Sequence, residues 1–126
     1  MNAVDTNVLV RLITRDDVKQ TTAAEEFVGA GAWVSHLVLA ETTWVLSAVY
    51  ELTASAIVIA VEMLLNHHEL AVQDRPTVMA ALVHFKRRPS LGFSDCLVLE
   101  IARKAGHLPL GTFDRKLSSL EGAEKL

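Results

Sequence analysis

"NAVDTNVLVRL", residues 2–12, decides the fold. A short apolar run, Asn2 to Val4, is closed by Asp5, and a helical pattern runs from about Asn7 to Ile13. Taken out of water, a carboxylate costs several kcal/mol unless it is paired, hydrogen-bonded or bound to metal. No Lys or Arg stands beside Asp5 before Arg11. Asp5 therefore either caps the helix it opens or has partners elsewhere in the chain.

Outward from that start, β-like runs alternate with helical ones. Asp16 and Asp17 open a second helix through Phe27, and "VGAG" breaks the chain before the strand "AWVSH" (32–36). Helices with few charges are predicted from Leu37 to Tyr50 and from Ala54 to His67, followed by the strand "ELAVQ" (69–73). A helix from Thr77 to Lys86 stops at "RRP". "SDCLVLEIARKAG" (94–106) is amphipathic: Leu97, Val98, Ile101, Ala102 and Ala105 share one face, Glu100, Arg103 and Lys104 look outward, and Gly106 is a good C-cap. "LPLGTF" (108–113) is the fourth strand, with a short helix from Asp114, and "AEKL" (123–126) can add an edge strand. Strands separated by helices imply an α/β fold, with a central, mainly parallel sheet covered on both faces. Asp5 and Asp114 then each follow a strand and share its carboxyl rim, where ligands of such sheets collect.

Composition narrows the function. The chain has 126 residues, enough for one domain (1–126) with a genuine core, and neither a linker nor a repeat interrupts it. A hydrophobic fraction of 51% is high for a soluble domain and points to apolar surface covered by a partner or a second copy, or to a fully covered parallel sheet. Twelve basic and 15 acidic side chains give −3, which excludes a protein that holds nucleic acid by net charge alone. The single cysteine, Cys96, excludes an internal disulfide and fits a reducing compartment. The start has no basic segment of a signal peptide, and the apolar stretch near Ile57 is interrupted by Glu62. A cytoplasmic protein with no membrane span is expected.

Three further acids matter. Glu41 is the only acid or base from Trp33 to Tyr50 apart from His36, and a helical wheel centres it among Leu37, Trp44, Val45 and Ala48. Glu is rarely inside unpaired, so a ligand role is favoured over a snorkelling one. Asp95 follows Ser94, the more natural cap, in the first turn of its helix, and Asp114 repeats the strand-to-acid order of Asp5. Two unit charges about 4 Å apart repel by roughly 4 kcal/mol at an effective dielectric near 20. Four gathered acids therefore need protons or divalent cations. All-oxygen donors favour Mg²⁺ or Mn²⁺, and such ions suit phosphodiester hydrolysis by an activated water.

"DTNVLVRL", "LAETTWVL", "FSDCLVLEIARKAG" and "GTFDRKL" are similar, in order and spacing, to PIN-domain ribonucleases, and most closely to VapC-type toxins of toxin–antitoxin pairs. The resemblance covers nearly the whole chain. It implies a three-layer α/β sandwich and Mg²⁺- or Mn²⁺-dependent RNA cleavage, with Asp5, Glu41, Asp95 and Asp114 as metal-binding catalytic residues. Asn7 and Thr112 match supporting polar positions. A homodimer silenced by a cognate antitoxin is implied as well. Cys96 stands where the family usually has Ala or another small residue.

Among the cations, Arg115 and Lys116 directly follow Asp114 and are candidate RNA contacts, as is Arg11. Trp33 and Trp44 are expected in the core, given their apolar context. A PIN nuclease of housekeeping RNA processing is the nearest alternative. A receiver-like domain lacks the acidic pair after strand one and a mid-chain acceptor, and a bare interaction module leaves Glu41 unexplained.

Overall fold

The computed structural model describes all 126 residues, which divide into two compact units, Met1–Gln73 and Asp74–Leu126. In the first unit the order is β1 (Asn2–Ala3), α1 (Thr6–Thr14), α2 (Val18–Val28), β2 (Ala32–Val34), α3 (His36–Ala48), α4 (Ala54–Asn66) and β3 (Leu70–Val72). The strands form a parallel ladder in the order β1-β2-β3, with Asn2 opposite Ala32 and Ala32 opposite Leu70. Helices supply the crossovers that parallel neighbours require.

Local chemistry sets the helix boundaries. Asp5, Asp17, Ser35 and Thr53 each accept a backbone N–H three residues on, from Val8, Gln20, Val38 and Ala56. Ser35 is why "AWVSH" ends as a strand at Val34: its hydroxyl caps α3, and His36 opens the helix. The Gln73 side chain accepts the His36 N–H at 2.9 Å, fastening the end of β3 to the start of α3. Leu9, Val34, Leu39, Leu46, Val61 and Leu64 are fully buried.

The second unit runs α5 (Arg75–Arg87), a 3₁₀ turn (Pro89–Leu91), α6 (Phe93–Ala105), β4 (Leu110–Thr112), a second 3₁₀ turn (Leu117–Ser119) and β5 (Ala123–Lys125). Helices α5 and α6 pack together, with Phe85 and Phe93 edge to face at 6.1 Å. "AEKL" does form a strand, but β5 pairs with β4 in a separate two-stranded parallel ladder. The parallel α/β architecture is as expected, although its strands are hydrogen-bonded in two ladders. Asp5 follows β1 of the three-stranded ladder, and Asp114 follows β4 of the two-stranded one.

Helix α6 also presents its faces differently from the sequence expectation. Glu100 is buried, whereas Val98, Ile101 and Ala105 are exposed. Glu100 tolerates burial because it is partnered: His84 Nε2 lies 3.1 Å from one oxygen, and Arg103 Nε donates to both at 3.2 Å. Arg103 Nη2 also donates to the Glu121 carbonyl at 2.6 Å. Gly122 lies beneath that guanidinium with φ +94°, and a Cβ there would meet Arg103 at 3.0 Å. Partnering of the acid, which periodicity does not reveal, turned the helix.

Candidate active site

Asp5 stands directly after β1 and caps α1, its Oδ1 accepting the Val8 N–H at 3.3 Å. The cap and the ligand reading are compatible, because Oδ2 receives no hydrogen bond. Next to it, the Thr6 hydroxyl donates to Glu41 Oε2 at 2.8 Å, joining the first turn of α1 to α3. Thr6, which follows Asp5 immediately, is a neighbour of the candidate acids that the sequence reading missed.

Glu41 is reached by a different route than periodicity indicated. The buried face of α3 is Leu39, Thr42, Thr43 and Leu46, while the stripe with Leu37, Glu41, Trp44 and Ala48 faces outward. Trp44 is 62% exposed and Trp33 is exposed too, so neither is the core residue expected. The two threonines make this possible by returning their hydroxyls to helix carbonyls, Thr42 to Val38 at 2.7 Å and Thr43 to Ala40 at 2.9 Å. With their polar atoms satisfied they pack as small apolar groups, and the acid is left accessible.

In the second unit, Asp95 lies in the first turn of α6. Ser94 does not cap that helix; Gly92, at φ +77°, occupies the N-cap position without a side-chain bond. Asp95 is partly buried, and burial, with the negative charge of Asp114 as the second cause, pushes its carboxyl above the ordinary Asp range. Asp114 is held rigidly: its own N–H donates to Thr112 Oγ1 at 3.0 Å, and its Oδ1 accepts the N–H groups of Lys116 at 2.8 Å and Leu117 at 2.9 Å. This turn replaces the helix expected from Asp114, and the 3₁₀ turn begins only at Leu117.

The structure thus couples Asp5–Thr6 to Glu41 in one unit and Asp95 to Asp114 in the other. Neither unit alone gathers three or more His, Cys, Asp or Glu side chains in metal-holding geometry. None of the four acids is ion-paired to Lys, Arg or His. Three use one oxygen for orientation and leave the other open, and Asp95 leaves both open. Unpaired, oxygen-only donors fit a hard divalent cation in both charge and type.

The supporting residues separate. Thr112 braces Asp114 as described. Asn7 instead lines a cleft of about 340 Å³ between α1 and α2, with Val8, Arg11, Gln20 and Phe27. Arg11 lies in the same cleft, engaged by Gln20 Oε1 at 2.6 Å, Asp16 Oδ1 at 2.9 Å and Tyr50 Oη at 3.0 Å. Arg115 and Lys116 are exposed and free of ion pairs. Cys96 is buried, and its thiol is pushed up to about 11, mainly by burial and secondarily by Asp95, which suits packing rather than nucleophilic chemistry.

No helix is long and apolar enough to cross a membrane. A search of curated proteins found no match. The PIN domain family model matches residues 3–123, a span containing all four acids, and PIN domains are generally nucleases. The chain belongs to the PIN domain family.

Proposed function

We propose that this chain is a Mg²⁺- or Mn²⁺-dependent endoribonuclease acting through Asp5, Glu41, Asp95 and Asp114 as a single domain, and that it is the toxin of a VapBC-type pair. The observation that carries the reading is the Asp95–Asp114 couple: two interacting carboxylates, neither paired to a cation, in a PIN domain. A divalent ion held by Asp5, Glu41, Asp95 and Asp114 would supply Lewis acidity for the phosphodiester and for an attacking water. The chain's own residues orient the donors. Thr6 fixes the Glu41 carboxylate, the Val8 N–H fixes Asp5, and the Lys116 and Leu117 N–H groups fix Asp114. Arg115 and Lys116 provide exposed positive charge for the phosphate backbone next to Asp114.

The cognate antitoxin and the homodimer belong to the same proposal. Exposed apolar side chains on α3 (Leu37, Trp44), α5 (Met79, Val83) and α6 (Val98) support surfaces that protein covers. A cytoplasmic location is supported by the lone buried cysteine. The test is cleavage of total cellular RNA by purified protein in Mg²⁺ or Mn²⁺, with EDTA and Asp95→Asn as controls. Discrete fragments that vanish in both controls are expected. Cleavage that survives Asp95→Asn refutes the site, and intact RNA with folded protein refutes the activity.

A further inference from the structure

We propose that Phe113 is a stacking platform for an unpaired nucleobase of the RNA strand cut at Asp114. This rests on the nuclease reading above and adds a residue that the family resemblance did not supply. Phe113 is 80% exposed, nearly the most exposed large apolar side chain of the protein.

Its exposure is built in. Along β4 and just beyond, Leu110 and Thr112 are partly buried while Gly111 and Phe113 face solvent, the alternation of a strand. The backbone is held on both sides of the ring. Leu126 N–H donates to the Thr112 carbonyl at 2.9 Å, and the Asp114 N–H donates to Thr112 Oγ1 at 3.0 Å. An aromatic ring on a fixed backbone loses little freedom when a base lies on it.

The neighbours decide what the ring meets. Phe113, Asp114, Arg115 and Lys116 are four consecutive exposed residues: an aromatic face, a candidate metal ligand and two cations without ion pairs. Aromatic faces take bases, and cations take the phosphates that join them, the combination that tracks single-stranded nucleic acid. A duplex keeps its base faces stacked inside and offers no face to Phe113. The ring supplies a face for a base and the two cations supply charge for its phosphates, so RNA is the occupant that the combination favours.

The test compares wild type with Phe113→Ala, Phe113→Trp and Phe113→Leu. The probes are a fluorescein-labelled mixed-sequence single-stranded RNA pool and a fully paired RNA duplex. Binding is read by fluorescence anisotropy in EDTA, and cleavage in Mn²⁺ as separate KM and kcat. Phe113→Ala should weaken single-strand binding and raise KM by about 5- to 150-fold, with kcat within a factor of about two. Phe113→Trp should restore both, Phe113→Leu should not, and duplex binding should not change. Equal single-strand binding by wild type and Phe113→Ala overturns the inference, as does rescue by Leu equal to that by Trp. Loss of self-association in Phe113→Ala with RNA binding intact also overturns it, by identifying the ring as a protein contact. Wild type that binds RNA but cleaves nothing in Mg²⁺ or Mn²⁺ removes the nuclease reading, while the anisotropy series still decides the platform.

Discussion

Arg103→Ala should destabilise the protein by about 2.5 kcal/mol, and the structure shows where that figure arises. The guanidinium Nε reaches both oxygens of Glu100 at 3.2 Å, and Nη2 reaches the Glu121 carbonyl at 2.6 Å. Hydrogen bonds to a charged group contribute about 1.5–3 kcal/mol. The Glu100 side chain is only 8% exposed but that of Arg103 is 36% exposed, so solvent screens the pair and the lower limit applies. The Glu121 bond adds about 1 kcal/mol. What remains is a buried carboxylate with His84 as its sole partner, against a typical total stability of about 5–15 kcal/mol. Equilibrium urea unfolding of wild type, Arg103→Ala, Glu100→Leu and the double variant measures the effect. The double variant should be more stable than Arg103→Ala, because the acid left short of a partner is gone. A loss below about 0.5 kcal/mol in Arg103→Ala, or no recovery in the double variant, would show that Glu100 is hydrated and refute the reasoning.

Other consequences are open to direct measurement. Asp95 has a raised carboxyl pKa, so its stabilising contribution is present below the ordinary Asp range and is lost as pH rises through the raised value. Asp95→Asn should therefore melt higher than wild type at pH 7 in EDTA, and Mn²⁺ should raise the Tm of wild type more than that of the variant. Asp16 is shifted the other way, its carboxyl held low first by the Thr14 hydroxyl and then by Tyr50. Its contribution is present above the ordinary Asp range and lost as pH falls through the lowered value, so a deficit of Tyr50→Phe in urea unfolding at pH 7 should shrink on acidification. With a thiol near 11, Cys96 should be roughly a thousandth thiolate at pH 8, and iodoacetamide should label it only after unfolding. Thr6→Val should lower kcat for RNA cleavage about 10-fold by freeing Glu41, while Thr6→Ser keeps the hydroxyl and the rate.

The strand-to-acid order around Asp5 and Asp114 was legible because Asp at those positions has a local physical job, a cap in one case and a turn in the other. Element order followed from periodicity and turn residues. The faces of α3 and α6 were not legible, and for one reason. Hydropathy ranks Thr42, Thr43 and Glu100 as outward residues, but each satisfies its polar atoms through a partner that composition does not reveal. Two threonines displaced Trp44 to the surface, and one glutamate displaced Val98 and Ile101. The division of the strands into two ladders was equally hidden, since periodicity identifies strands but not their neighbours.

A ladder two strands wide leaves Thr112 with a single neighbouring strand, and the Leu126 N–H closes that pairing on the residue that braces Asp114. The Leu126 side chain also fills the space beside Gly111, where a Cβ would meet it at 3.3 Å. Strand β5 carries none of the candidate residues, yet its pairing holds the residue that braces Asp114. Variation at Glu124, Lys125 or Leu126 can thus retune the set of Asp114 without altering any of the four candidate acids, a dial that a survey of those four positions alone would overlook.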